Sequence, residues 1–152
     1  MSVPPEIGIY RRKLPHWRLE GSTYYISFKL AQDVFSQRER QIVLKHIRSG
    51  HGRFYTLLAC VVMPDHVHTI LKPHKGVELS RIMKGIKGVS ARQINQARGA
   101  RGTLWQGESW DRIIRDEAEL GEKFNYMLMN PFKRGLVEDP WRYDGWFFND
   151  NF

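Results

Sequence analysis

The segment from residue 54 to residue 72 limits the possible folds of this chain more than any other. FYTLLACVVM at 54–63 is apolar and rich in β-branched and aromatic residues, and HVHTILK at 66–72 has the same character. Both runs predict β-strands. Between them, Pro64 presets φ for a turn, and Asp65 can accept hydrogen bonds from the turn backbone. We therefore predict an antiparallel hairpin with a tight turn.

The second strand of this hairpin contains two histidines, His66 and His68. Because side chains alternate along a strand, these two residues and Ile70 lie on one face. Two neutral imidazoles that project side by side could hold a metal ion. The sequence therefore places a candidate site on this face.

Length and cysteine content set the broad class of protein. With 152 residues, the chain can bury about two-thirds of the surface that it exposes when unfolded, so we expect one domain over 1–152. Within it, 1–20 is predicted to be a basic N-terminal arm and 138–152 an aromatic C-terminal tail. Cys60 is the only cysteine, so no disulfide can form within the chain, and we expect a small buried hydrophobic residue there.

Charge and hydropathy indicate the partners. Lysine and arginine total 24 against 16 aspartates and glutamates, a formal charge of +8 that favours a polyanion, although it also suits a well-solvated cationic surface. The N-terminus lacks a signal-peptide core, and no apolar run approaches the roughly 18 residues of a membrane span. We expect a soluble, cytoplasmic protein with no membrane partner.

Three further elements precede or follow the hairpin. STYYISFKL at 22–30 predicts a first strand. Ser36 and Glu39 match a capping box that begins a helix, and Gly50 is a plausible end for it. Apolar residues at helical spacing predict another helix over about 78–96, although two glycines weaken its centre.

The last third of the chain predicts a strand and a helix. The sequence GTLWQGESWDRIIRD indicates a strand around Trp110–Ile114, after a loop that contains glycine. Asp116 resembles the N-cap of a helix that should end near Asn130, because Pro131 disfavours the helical conformation in the residue before it. The order β-α-β-β-α-β followed by a helix predicts an α+β fold. It is the ferredoxin-like antiparallel sheet with helices packed on one face, plus an added helix.

The added helix supplies a second candidate group. Its apolar residues Leu120, Phe124 and Met127 fall on one face, and Tyr126 lies on the other, with Asn130 one turn further along. Tyr126 can be read as an amphipathic surface aromatic. It can also be read as a nucleophile, which would need help because a tyrosine hydroxyl has a pKa near 10. A cation held by the histidines could polarise a phosphate, with Asn130 as a further oxygen donor.

Five segments together resemble a known family. VVMPDHVHTIL is similar to the HUH motif, two histidines flanking a hydrophobic residue, of single-tyrosine HUH transposases, and NYMLMNPFKRGLV resembles their tyrosine helix. YRRKLPHWRLEGSTYYISFKL, LSRIMKGIKGVSARQIN and LWQGESWDRIIRD also match. The pattern is most like the REP-associated tyrosine transposases of bacteria, which act on repetitive extragenic palindromes. The resemblance covers nearly the whole chain.

The resemblance implies roles for individual residues. His66, His68 and Asn130 would be ligands of a divalent metal, Mg or Mn, and Tyr126 would be the nucleophile. Asp65 departs from the family, where asparagine often precedes the first histidine. A carboxylate there could change the metal affinity or make the same turn, and we expect the turn.

The implied activity is cleavage and rejoining of single-stranded DNA next to palindromic hairpins, through a 5′-phosphotyrosine intermediate. Basic residues of the arm and of the second helix would contact hairpin phosphates: Arg11, Arg12, Lys13, Arg18, Lys84, Lys87 and Arg92. Whether the active unit is a monomer or a homodimer stays open.

Two other functions compete with this hypothesis. A domesticated, non-catalytic regulator that binds DNA or RNA hairpins would not need the residue set of the site. A metal-dependent hydrolase that uses water would not need Tyr126. For the aromatic residues of the tail, Trp141, Tyr143, Trp146 and Phe147, packing onto the domain is favoured over stacking on exposed bases.

Overall fold

The computed structural model describes residues 21–150 and shows an α+β fold. In that part of the chain there are five strands and three α-helices. In chain order they are β1 (Thr23–Leu30), α1 (Gln37–Ser49), β2 (Tyr55–Val62), β3 (His66–Pro73), α2 (Leu79–Arg98), β4 (Trp105–Ile114), α3 (Glu117–Lys133) and β5 (Trp146–Phe148). A short 3₁₀ helix at Pro140–Arg142 precedes β5. The predicted arm at 1–20, with its four basic residues, lies outside the described residues.

The strands form one antiparallel sheet in the order β4-β1-β3-β2-β5. Its first four strands have the predicted ferredoxin-like arrangement. The hairpin of β2 and β3 turns at Pro64 and Asp65, where the amide of Met63 donates to the carbonyl of His66 at 2.8 Å. The fold prediction is therefore confirmed.

Each face of the sheet has its own core. On one face, α1 and α2 pack on residues such as Phe28, Val67 and Leu71, in a cluster that includes Cys60. On the other face, α3 packs on a second cluster. This division follows from strand alternation, because successive side chains of β1 point to opposite faces.

The N-terminus of α1 has the predicted capping box. The Ser36 hydroxyl accepts from the amide of Glu39, and the Glu39 carboxylate accepts from the amide of Ser36. The same carboxylate accepts from the Arg98 guanidinium, with Nε at 2.6 Å, and so joins the start of α1 to the end of α2. Hydrogen bonding to Arg98 outweighs partial burial and lowers the pKa of Glu39.

Two element boundaries differ from the predictions. β4 begins at Trp105 rather than near Trp110. Its pairing with β1 is irregular between Phe28 and Leu30, and this irregularity accommodates extra residues around Gly107, so the strand pairing continues back to Trp105. The exposed side chains of β4 lack the apolar alternation that identifies a strand.

α3 continues to Lys133 instead of ending near Asn130. Proline removes one helical hydrogen bond, but the helix continues past it: the amide of Arg134 donates to Asn130 and that of Leu136 to Pro131. Pro131 itself is buried. Asn130 therefore remains helical, one turn after Tyr126.

The aromatic tail, as far as residue 150, packs onto the domain, as the sequence favours. β5 pairs with β2, and the Tyr143 hydroxyl donates to the carbonyl of Val62 at 2.8 Å. Trp146 and Phe148 lie against the cluster beneath α3. No helix of the described residues is both long and apolar enough to cross a membrane.

The Glu39 carboxylate predicts a pH dependence of stability. Its pKa is lower in the folded state than its ordinary value of 4.5, so its stabilising effect is present above that value and is lost as the pH falls through the lowered pKa. We expect wild type to lose more unfolding free energy between pH 7 and pH 3 than Glu39→Gln, as measured by urea denaturation. Parallel losses would contradict this role of Glu39.

Candidate functional site

The candidate site is built on the sheet face that α3 covers. Pairing of β1 with β3 sets Ser27 opposite His68 and Lys29 opposite His66. On the other side of β1, Trp110 of β4 is also opposite Ser27. Trp110, Ser27 and His68 therefore form a row across three strands. Ser27 is the small residue between the two larger rings of this row.

His68 is held as a neutral imidazole. Burial, with further effects of His66, Lys29 and Lys123, lowers its pKa to about 3. Its Nδ1 atom lies 2.9 Å from the hydroxyl of Tyr25, and the two rings stack with centroids 5.6 Å apart. On the other side, the amide nitrogen of Asn130 lies 3.3 Å from Nε2. If Asn130 donates to Nε2, then Nδ1 holds the hydrogen and donates to Tyr25.

His66 is oriented by a carboxylate. Its Nδ1 atom lies 2.7 Å from Oδ1 of Asp65, which is also 3.8 Å from the guanidinium of Arg134. Partial burial would raise the pKa of Asp65, but the hydrogen bond from His66 and the charges of His66 and Arg134 together lower it. Asp65 occupies the turn as expected, and its side chain additionally contacts His66. When the His66 imidazole is neutral and Nδ1 donates to Asp65, Nε2 is the atom with a free lone pair.

α3 brings Tyr126 and Asn130 to the histidines. Leu120, Phe124 and Met127 are fully buried, whereas Tyr126 is 49% exposed, as its position on the opposite side of the helix predicts. The Tyr126 ring lies edge-on to His68 with centroids 5.7 Å apart. The structure therefore brings together all four of the residues predicted for the reaction centre.

An open pocket of about 630 Å³ surrounds these residues. Its lining combines the site residues with three cations and one carboxylate: Tyr25, Ser27, Lys29, Asp65, His66, His68, Trp110, Lys123, Tyr126, Asn130 and Arg134. The ammonium of Lys123 lies 5.0 Å from the centre of the Tyr25 ring. An excess of positive charge in a cleft suits a phosphate group.

The basic residues predicted on the second helix do not line this pocket. Lys84 and Arg92 line a separate groove between α1 and α2. The ammonium of Lys87 donates to the carbonyl of Gln106 at 2.8 Å and to the Ser109 hydroxyl at 3.2 Å. Lys87 thus supports the irregular part of β4, and its contact with DNA stays a prediction. The arm residues Arg11, Arg12, Lys13 and Arg18 lie outside the described part of the chain.

Several pocket residues were not anticipated from the sequence. Tyr25 and Lys29 come from β1, and Lys123 and Arg134 come from α3 and its end. Alternation along β1 does place Tyr25 and Lys29 on one face. Only the pairing register, however, shows that this is the face of the histidines.

The family follows from comparison with known proteins. The family model described as "Transposase IS200 like" matches residues 26–113, more than half of the chain. The chain belongs to the IS200-like transposase family. This match includes both histidines and ends before Tyr126 and Asn130.

Individual relatives agree with this assignment. The chain is 27% identical to the REP-associated tyrosine transposase of Escherichia coli over 136 residues, 85% of this chain and 75% of that protein. It is 28% identical over 98 residues to a protein of Haemophilus influenzae that is provisionally described in the same way. That match covers 58% of this chain and 55% of the relative, so the chain spans about half the length of that protein.

A solved structure shows the same fold. It is a REP-associated tyrosine transposase bound to a REP hairpin, with a TM-score of 0.64 and 21% identity. The similarity covers 89% of this chain and 81% of that one. The resemblance to this group of transposases, predicted from the motifs, is thus confirmed.

Tyr25→Phe should destabilise the protein by about 1–3 kcal/mol, because a buried polar atom of His68 loses its partner. Urea denaturation measures the change. Tyr24→Phe is the matched control, since Tyr24 is the neighbouring residue on the other face of β1. Equal stabilities of the two variants would contradict the contact.

Proposed function

We propose that this protein is a metal-dependent endonuclease and strand-transferase for single-stranded DNA, with Tyr126 as the nucleophile. The observation that supports this most directly is the approach of α3 to β3. Asn130 contacts His68, and Tyr126 lies beside the same imidazole. A regulator that only binds hairpins has no need for this juxtaposition.

The residues present fit a divalent cation. His66, His68 and Asn130 would hold Mg or Mn. Both imidazoles have Nδ1 engaged, by Asp65 and by Tyr25, so that each Nε2 can offer its lone pair. The amide of Asn130 also has an oxygen, and rotation of the amide exchanges it with the nitrogen that contacts His68. The described residues contain no group of three or more His, Cys, Asp and Glu side chains with metal-binding placement, so the third ligand would be the amide.

When bound, the cation would polarise a phosphoryl oxygen and stabilise the charge that develops in the reaction. Tyr126 has a suitable position for the chemical step. Its side chain is half exposed at the pocket, so a DNA strand can reach its hydroxyl. The hydroxyl oxygen attacks the phosphorus, the bond between phosphorus and the 3′ oxygen of the upstream fragment breaks, and Tyr126 becomes linked to the 5′ phosphate of the downstream fragment. The proton released by tyrosine balances the 3′-hydroxyl that leaves.

Rejoining is the reverse reaction with another 3′-hydroxyl. No nucleotide cofactor is required, because the phosphotyrosine ester that replaces the broken phosphodiester bond conserves its energy. Lys29, Lys123 and Arg134 would neutralise the strand at the pocket. By analogy with the relative solved with a REP hairpin, the substrate would be a palindromic hairpin with a single-stranded flank. Arg11, Arg12, Lys13, Arg18, Lys84, Lys87 and Arg92 are the proposed contacts to its phosphates.

Tyr126→Phe should abolish the covalent protein–DNA adduct and leave hairpin binding nearly unchanged, because only the attacking oxygen is removed. The assay is a denaturing gel of labelled single-stranded DNA that contains palindromes of the source genome, incubated with Mn or Mg. Tyr24→Phe is the control and should form the adduct normally.

An adduct that persists in Tyr126→Phe would disprove the role of this residue. Cleavage without any adduct in wild type would indicate a hydrolase that uses water. Tight, salt-dependent hairpin binding with neither adduct nor cleavage would indicate a domesticated binding protein.

His68→Gln should weaken Mn binding at least about tenfold, because the variant loses a proposed ligand while keeping a polar side chain. Titration of the free protein, followed by electron paramagnetic resonance of Mn, measures this without reliance on activity. His74→Gln lies outside the pocket and is the control. Unchanged affinity in His68→Gln would remove the proposed metal site.

A further inference from the structure

An exposed tryptophan lies at the mouth of the reaction pocket. Of the tryptophans in the described part of the chain, Trp110 is the most exposed, at 53%, and it alone lines this pocket. Trp105 is buried in the core, and Trp141 packs on Trp146 and Phe148. Leaving half of a large aromatic ring in water forgoes much of its hydrophobic stabilisation, so a partner that covers it would recover that free energy.

The Trp110 ring is supported from one side. Tyr25 meets it edge-on, with centroids 5.7 Å apart and planes at 77°. Tyr25 is itself buried, stacked on His68 and covered by the ammonium of Lys123. Tyr25 therefore packs against Trp110 and also orients His68, the proposed metal ligand.

The distance from Trp110 to the histidines suits adjacent parts of one strand of DNA. The row Trp110, Ser27, His68 spans two strand spacings, about 10 Å between the outer backbones. Since Ser27 is small, the space above it is open. A phosphate beside His68 and a base against Trp110 would then belong to the same or neighbouring nucleotides.

We propose that Trp110 is a stacking platform for an unpaired base next to the cleaved phosphate. This inference rests on the proposed function and names the part of the substrate that the pocket recognises. A base can offer its face to Trp110 only when it is not stacked within a duplex, so the platform would favour single-stranded DNA. Stacking accepts any base, so sequence choice must arise elsewhere.

The test compares affinities for DNA with and without a flank. All proteins contain Tyr126→Phe, so that binding is measured without covalent capture. The first two probes are hairpins of source-genome palindromes with single-stranded flanks at both ends and the same hairpins without flanks. The third is a series of flanked hairpins, each with one abasic nucleotide at a different position of the flank. Trp110→Leu removes the ring and keeps an apolar side chain suited to packing on Tyr25, and Trp110→Phe keeps a smaller ring.

Trp110→Leu should weaken binding of the flanked hairpin about tenfold and leave that of the bare hairpin unchanged, with Trp110→Phe in between. One abasic position should weaken wild-type binding by a similar factor and have no further effect in Trp110→Leu. Ile113→Ala is the matched control. It removes an exposed apolar side chain of the same strand, on the other face, and should change neither affinity.

Equal affinities of Trp110→Leu and its parent for flanked DNA would overturn the platform, and so would equal weakening of flanked and bare hairpins. The platform would also be overturned if an abasic position weakened DNA binding by Trp110→Leu as much as it weakens binding by the parent protein. Adduct formation by the protein with an intact Tyr126 separates the two proposals. If wild type forms the adduct but one of these contrary affinities is found, only the proposal for Trp110 fails. If wild type forms no adduct and the flank adds nothing to hairpin binding, the proposed function and the proposal for Trp110 both fail.

Discussion

Burial of the apolar side of α3 against the second face of the sheet is the interaction on which the site depends. Phe124, Met127 and Leu128 are fully buried there. This packing sets the rotation of the helix, so that Asn130 reaches His68 and Tyr126 stays exposed beside it. The proposed nucleophile and the histidines belong to elements distant in sequence, and their proximity results from hydrophobic packing rather than from any direct bond between them.

Tyr25 is a buried residue that contacts several residues of the candidate site. Its ring stacks on His68, braces Trp110 and lies beneath Lys123, while its hydroxyl contacts Nδ1 of His68. Burial lowers the pKa of His68 and raises that of Tyr25, so both side chains are neutral near pH 7. A neutral imidazole with Nδ1 engaged is the form that can bind a cation through Nε2. The arrangement at His66 is parallel, with Asp65 in place of Tyr25.

Much of the fold could be predicted because its signals are local. The hairpin at Pro64 and Asp65, the capping box at Ser36 and the side of α3 that holds Tyr126 all follow from neighbours within a few residues. Prediction was wrong where a tertiary contact outweighed a local preference. α3 continues through Pro131, and β4 extends across the irregularity at Gly107, where Lys87 satisfies strand carbonyls. The pocket residues of β1 cannot be predicted in this way, because register between strands is not encoded by spacing along one strand.

The sequence by itself determined the periodicity of each element, the order of strands and helices, and the chemical types of the candidate residues. Periodicity arises from interactions between near neighbours, so His66 and His68 had to share a face, and Tyr126 had to oppose Phe124. Only the tertiary structure decided that these groups meet, that Asp65 and Tyr25 occupy the Nδ1 side of the imidazoles, and that Trp110 lies across from them. These relations depend on strand pairing and on helix packing between distant segments, which form together when the core excludes water.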